Sequence, residues 1–371
     1  MSSFVKSLGH IAQAGNFSLR HYAAGDHYCM RRQARRFLRT KRRRINSQGN
    51  RARIQGGGSS CRLGLGLIQI DPQRGAAWRA AEIQDVARAA EDAGFEAAFC
   101  AEVNKDAIAS AELMGLATGR LKVGTWVAHI YLRLPYLCAK AAALAADATD
   151  GRFILGLGVS HQSVNHALGI EMPNPSPALR EYATEVAGWL RGDGPVTHLP
   201  QQPSPFPVPI YLAALTSQNV ELAGEIADGV MPVWWSVERV ARSRRWIERG
   251  RAKSRGRGKL ELTLGLPTYV GDDVEALRAA ARANLGLFIT LPFFQRLLRA
   301  SGFADEADRA EQGAGSDALS DRVLDTICLI RSIGRCHERI AEYRAAGVDL
   351  PILWPGLGVD TARQVIAAFR Q

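Results

Sequence analysis

From residue 62 to the C-terminus, short apolar runs alternate with segments whose apolar positions recur every three or four residues. The runs predict buried strands, and the segments predict amphipathic helices. Eight strands emerge, over 63–70, 97–101, 121–128, 153–158, 210–214, 230–233, 261–270 and 349–353. Nearly all are followed by a helix, the crossover that a parallel connection requires. Eight β-then-α units can close into a (β/α)8 barrel of the TIM type, which leaves no strand edge exposed. The active site of such a barrel lies at the C-terminal ends of its strands, so those residues carry the functional reading.

The first helix shows the period plainly: Ile83, Val86, Ala87, Ala90 and Ala93 form one stripe, and Gly94 closes it. After the third strand, Leu137, Ala141, Leu144, Ala145 and Ala148 are expected to form the buried face of the next helix. Further helices are predicted near 107–118, 179–190, 218–227, 237–253 and 361–369. A Pro-rich loop occupies 200–209, and 284–320 fits no simple unit. That segment is expected to be an insertion over the barrel mouth, with Phe293, Phe294 and Phe303 as an apolar cover.

Charge divides the chain. Residues 1–62 hold 14 Lys and Arg against Asp26 alone, a net +13, which leaves −2 for the rest of a chain whose total is +11. Residues 1–61 are therefore expected to be a separate, disordered basic extension that ends in Gly and Ser, and 62–371 the barrel. Three readings of the extension stand side by side: an incidental addition, a transit-like leader, or an arm that holds nucleic acid. The arm is the least favoured, because a block of like charge is usually only solvated. Six cysteines, at 29, 61, 100, 138, 328 and 336, form no C-x-x-C pair and show no metal-ligand spacing. No metal is expected, and a reducing cytoplasm suits them. No apolar stretch reaches the roughly 20 residues that span a bilayer.

Candidate chemistry gathers at four strand ends. Strand two ends at Glu102, either a carboxylate in the cleft or an acid at the N-terminus of the next helix. Strand three delivers Thr125, Trp126 and Val127, with His129 and Arg133 beyond, and Trp126 reads as ligand contact or core. Strand four opens through Gly156 and Gly158 onto Ser160, His161 and Asn165. His161 suits acid–base work near neutral pH, or is a loop histidine in solvent. Strand five ends in Ala214, Leu215, Thr216 and Ser217, either an anion pocket at a helix N-terminus or a plain N-cap.

Four motifs in order carry a family resemblance: Gly124-Thr125 with Arg133 and Pro135, the run from Asp150 to Gly158, that from Ala223 to Gly229, and that from Tyr343 to Asp349. Together they resemble the luciferase-like monooxygenase superfamily, and within it the enzymes of the deazaflavin coenzyme F420, methylenetetrahydromethanopterin reductase included. The resemblance runs from Arg62 to the C-terminus. It implies a flavin-type ring across the barrel mouth, a non-proline cis peptide at Trp126-Val127, and phosphate contacts from Ala214 to Ser217. It also implies a strand-two acid at Glu102 and a polar loop with Ser160, His161 and Asn165. Two departures are visible: Ala101-Glu102-Val103 stands where relatives have Asp-His, and Leu215-Thr216 where they have Gly-Gly or Gly-Pro. The expected activity is hydride transfer between reduced F420 and a small organic substrate, in a homodimer, with His161 or Glu102 as the proton-transfer group. The alternatives are an FMN-dependent monooxygenase of the same fold and, remotely, a nucleic-acid binder acting through the basic extension.

Overall fold

The computed structural model describes residues 62–172, 174–193, 202–254 and 256–371, so the basic extension lies outside the described residues. The strands are β1 (Gly64–Leu67), β2 (Ile70–Asp71), β3 (Ala76–Ala77), β4 (Ala97–Cys100), β5 (Lys122–Thr125), β6 (Ala128–His129) and β7 (Phe153–Gly158). They continue with β8 (Ile210–Leu212), β9 (Gly229–Val230), β10 (Glu261–Val270), β11 (Leu329–Arg331) and β12 (Leu350–Trp354). Parallel pairing runs β1, β4, β5, β7, β8, β9, β10, β12 and returns from β12 to β1. The sheet is therefore a closed eight-stranded parallel barrel with helices between its strands, as the alternation of patterns predicts.

Three strands escape the sequence pattern. Strands β2 and β3 form a small antiparallel pair beyond β1, and β11 pairs with the C-terminal end of β10. The predicted third strand is broken in two: β5 pairs with β4, while β6 shifts its pairing to β7. The break is the Trp126-Val127 bond, which is cis, as the resemblance implies.

The interior of the barrel is filled by Ala97, Phe99, Ile154, Tyr211, Met231, Leu350 and Ile352, with Trp126 and Val127 packed on top. Small residues make this possible. A Cβ on Gly156 would lie 2.1 Å from the Thr125 carbonyl oxygen, and one on Gly124 would lie 2.4 Å from that of Ile154. At the N-terminal end of the barrel, Arg62 bonds Glu96 at 2.5 Å and Glu261 at 2.5 Å, and the Tyr211 hydroxyl donates to Glu261. The Arg62 guanidinium holds the Glu96 carboxyl down to about 2. Charge at this end belongs to stability rather than to catalysis.

The helix Ala80–Asp92 buries Ile83, Val86, Ala87 and Ala90, as its stripe predicts. The helix Pro135–Ala148 does not follow its predicted face. It buries Cys138, Ala139, Ala142, Ala145 and Ala146, while Leu137 and Leu144 are 59% and 60% exposed. Alanines permit close approach to the barrel, so the small face packs inward and the leucines are left outside. Cys100, Cys138, Cys328 and Cys336 are buried free thiols, in keeping with cysteine as a small hydrophobe. Among the described residues no helix is long and apolar enough to cross a membrane.

Candidate active site

The floor of the barrel mouth is the indole of Trp126. A Cβ on Gly66 of β1 would come within 2.7 Å of it, and one on Gly265 of β10 within 2.3 Å. Two glycines on neighbouring sides of the barrel therefore make room for one ring. Val127 likewise lies over Gly158, where a Cβ would meet it at 2.4 Å and Ala213 at 3.3 Å. Strands β1, β5, β7, β8 and β10 thus converge on one platform, and Trp126 and Val127 remain partly open on it.

One wall is aromatic, and much of it comes from the predicted insertion. That segment folds as helices Val274–Ile289, Pro292–Ala300 and Ala304–Glu311 and a short 3-10 turn. Phe288 meets Trp354 edge-on at 5.2 Å, and Trp354 meets Trp126 at 5.9 Å. Phe294 packs on Trp234 at 4.2 Å, and Phe293 and Phe294 lie 5.9 and 5.7 Å from the His161 ring. Phe303 takes no part. It is buried elsewhere, under the Arg322 guanidinium at 5.1 Å.

Several buried polar atoms around this mouth have no partner among the described residues: His129 Nδ1, Ser160 Oγ, His161 Nδ1, Trp234 Nε1 and Trp354 Nε1. A buried donor or acceptor without a partner costs about 1–3 kcal/mol. Five around one mouth suit a polar ligand that completes them. Ser160 and Trp234 also have positive φ, at 62° and 58°, outside the usual range of side-chain-bearing residues. Both therefore leave strand geometry at the place where they turn toward the aromatic wall.

His161 is pushed down to about 4, first by burial and then by the nearby His129. Burial lowers His129 too, and Arg133 adds to this while Glu102 opposes it. Burial thus favours the neutral form of both imidazoles. Beside His161, on the outer side of its loop, a cleft of about 710 Å³ is lined by Gln162, His166, Ile170, Met172 and Pro292. It lies next to the mouth and not over Trp126, so it fits an approach path better than a ring seat.

Other sequence-predicted residues turn to structural bonds. Glu102 accepts from the backbone N–H of His129 at 2.6 Å and pairs with Arg133, which also reaches Asp106 at 2.9 Å. It thereby ties the loop after β6 to the end of β4. The Thr125 hydroxyl exchanges hydrogen bonds with Gly156, donating to its carbonyl at 2.6 Å and accepting from its N–H at 2.9 Å. Asn165 is fully buried and donates to the Val159 carbonyl at 3.0 Å. Thr216 caps the helix Ser217–Ile226, its Oγ1 accepting from Asn219 N–H at 3.3 Å, with Ala214 and Leu215 buried behind it. The first-turn N–H groups of Ser217 and Gln218 have no acceptor among the described residues.

Sequence reasoning missed Trp234, Phe288 and Trp354. Trp354 had a signal, being the residue just past the eighth predicted strand. Trp234 had the same signal, just past the sixth predicted strand, while Phe288 sits on a segment with no strand-end pattern to mark it.

A TIM-barrel enzyme is defined here: the interior is a packed core, and the polar and aromatic groups gather at the strands' C-terminal ends. The chain belongs to the luciferase-like monooxygenase family, whose description matches residues 65–350, and it is an enzyme of the oxidoreductase type. It is 29% identical over 320 residues to a Mycobacterium tuberculosis protein named for coenzyme F420-dependent oxidoreductase activity, covering 73% of this chain and 90% of that one. It is 26% identical over 324 residues to 5,10-methylenetetrahydromethanopterin reductase of Methanolobus tindarius, covering 82% and 97%. Its fold matches the coenzyme F420-dependent tetrahydromethanopterin reductase of Methanopyrus kandleri with a TM-score of 0.68, at 18% identity, covering 84% and 97%.

Proposed function

We propose that the protein transfers hydride between reduced coenzyme F420 and a small, uncharged, largely apolar organic substrate. The single observation carrying this reading is the mouth itself: a flat floor of Trp126 and Val127 ringed by unpartnered buried polar atoms. The similarity to F420-dependent relatives over most of the chain supports the choice of cofactor. Bound there, a reduced deazaflavin supplies a hydride and little else.

The remaining work falls to the chain. Trp126 and Val127 back the ring, and Ser160 with the tip of β8 holds its polar periphery. Ala214, Leu215, Thr216 and Ser217 would hold the cofactor's phosphate, because free N–H groups and the helix dipole there favour an anion. Phe288, Phe293, Phe294 and Trp234 exclude water from the reacting face. His161, neutral and unpartnered at Nδ1, accepts the proton of a substrate hydroxyl as hydride passes from the substrate to oxidised F420, and in the reverse direction its protonated form returns that proton to the substrate oxygen. Glu102, paired with Arg133 and accepting from the His129 N–H, holds the loop. Among the described residues that pairing also leaves no free cation acting on His161, which is why an uncharged substrate is proposed.

Titration of the purified protein with F420 and with FMN tests this directly. F420 is expected to bind in the micromolar range or tighter, about −8 kcal/mol, with FMN much weaker. Retention of FMN through purification, with no F420 binding, would instead mark an oxygen-activating monooxygenase.

We further propose that the enzyme is a homodimer, supported by the exposed Leu134, Leu137 and Leu144 on and beside the helix Pro135–Ala148. The double variant L137E/L144E is expected to halve the mass seen by light scattering. A monomeric wild type ends the proposal.

A further inference from the structure

Behind the turn proposed to hold phosphate stands a buried cation without a counter-ion. Arg239 lies in the first turn of the helix Val237–Lys253 and is 6% exposed. Its Nη2 donates to the Leu215 carbonyl at 2.7 Å, and its Nη1 to the Ala300 carbonyl at 3.3 Å. Its Nε is buried and has no partner. Trp235 and Trp246 face the guanidinium at 5.4 and 5.7 Å. No carboxylate among the described residues pairs with it, and the nearest named charge, Arg242, is of the same sign.

A buried charge is costly unless another charge or a full set of hydrogen bonds compensates it. Two carbonyls and two indole faces compensate part of this one. On the same helix the exposed Arg249 pairs with Glu221 at 2.9 Å, whereas the half-buried Arg251 donates, like Arg239, to carbonyls, those of Gly224 at 2.8 Å and Ala227 at 3.0 Å, with its Nε unpartnered. Arg239 grips the carbonyl of the residue before the Thr216 cap. That bond fixes the turn from which the free N–H groups of Ser217 and Gln218 project.

We infer that Arg239 is the positioning charge of the 214–217 turn, and that its counter-ion is the phosphate-type anion bound there. The inference rests on the proposed phosphate contacts of that turn, yet it requires neither a deazaflavin nor a substrate. Arg239 does not touch the anion. It holds the Leu215 carbonyl away from it and adds positive potential through a dry interior, where charge is poorly screened.

The test is a titration of the full chain with inorganic phosphate against sodium chloride at matched ionic strength, read as the shift in Tm. R239Q keeps a donor for the Leu215 carbonyl and removes the charge, while R239K keeps the charge. Wild type is expected to be stabilised by phosphate beyond chloride. R239Q should lose about tenfold or more in apparent phosphate affinity, and R239K should stay closer to wild type. A merely structural arginine would weaken both variants alike, and that result overturns the inference. So does unchanged phosphate affinity in R239Q. If R239Q does not fold, the wild type decides, because absence of a phosphate-specific shift also overturns it. Phosphate binding that depends on the charge, with no F420 binding, would leave this inference standing while the proposed cofactor fell.

Discussion

Replacing His161 with alanine is expected to lower kcat by about 10²–10⁴-fold, the range for loss of a positioned acid–base group. Cofactor affinity should change little, because the imidazole faces Phe293 and Phe294 rather than the platform of Trp126 and Val127. The pH profile gives a second, independent readout. Burial disfavours the charged imidazole, so His161 stays neutral down to about 4. In the direction that takes hydride from the substrate, where neutral imidazole accepts the hydroxyl proton, the rate should therefore be flat from pH 8 to 5 and fall on the acid side below that. His129 is the second cause of the depression, so H129Q should move the acid limb upward. Burial is the first cause, and the limb should still lie below the ordinary value near 6.5. Full activity in H161A, or a wild-type limb at 6.5 or higher, sinks the assignment.

The reach of the sequence can be judged from particular residues. Strand count and order follow from the hydrophobic pattern, and β10 matches its predicted ends at Glu261 and Val270. Strand-end position told where Glu102, Thr125, His161 and Asn165 stand, but not which way they face. At the last residue of a strand and beyond it, local hydrogen bonds rather than the two-residue alternation decide orientation. Thr125 turned to Gly156 and Asn165 to Val159 because each satisfied a buried backbone group there. Leu137 and Leu144 were misplaced because an alanine-rich helix has two faces that can pass as its core. Arg239 was hidden for a different reason. It sits in a helix whose many basic residues read as a solvated face, and only packing against Trp235 and Trp246 distinguishes it. The aromatic wall needed residues from 126, 234, 288, 294 and 354 to meet, a coincidence of tertiary structure that no local period encodes.

The largest structural effect is expected from G265V. A Cβ at Gly265 would sit 2.3 Å from Trp126 Cζ2 and 2.7 Å from Val233 Cγ1, far inside van der Waals contact. The indole cannot retreat across the barrel, because it already lies against Gly66, where even a Cβ would meet Trp126 Cζ3 at 2.7 Å. Nor can it slide sideways past Trp354, whose ring stands edge-on at 5.9 Å. The ring must therefore rise into the mouth. Overpacking of this kind costs about 1–3 kcal/mol in stability, and displacement of a platform by about 1 Å can cost about 10²-fold in function. Cofactor affinity should fall far more than Tm does. The cause is separable by a double-mutant cycle: with W126A in place only the contact with Val233 Cγ1 remains, so G265A should cost less stability there than it does in wild type. Strict additivity of W126A and G265A in Tm, or wild-type cofactor affinity in G265V, would show that Trp126 does not form the floor on which the ring rests.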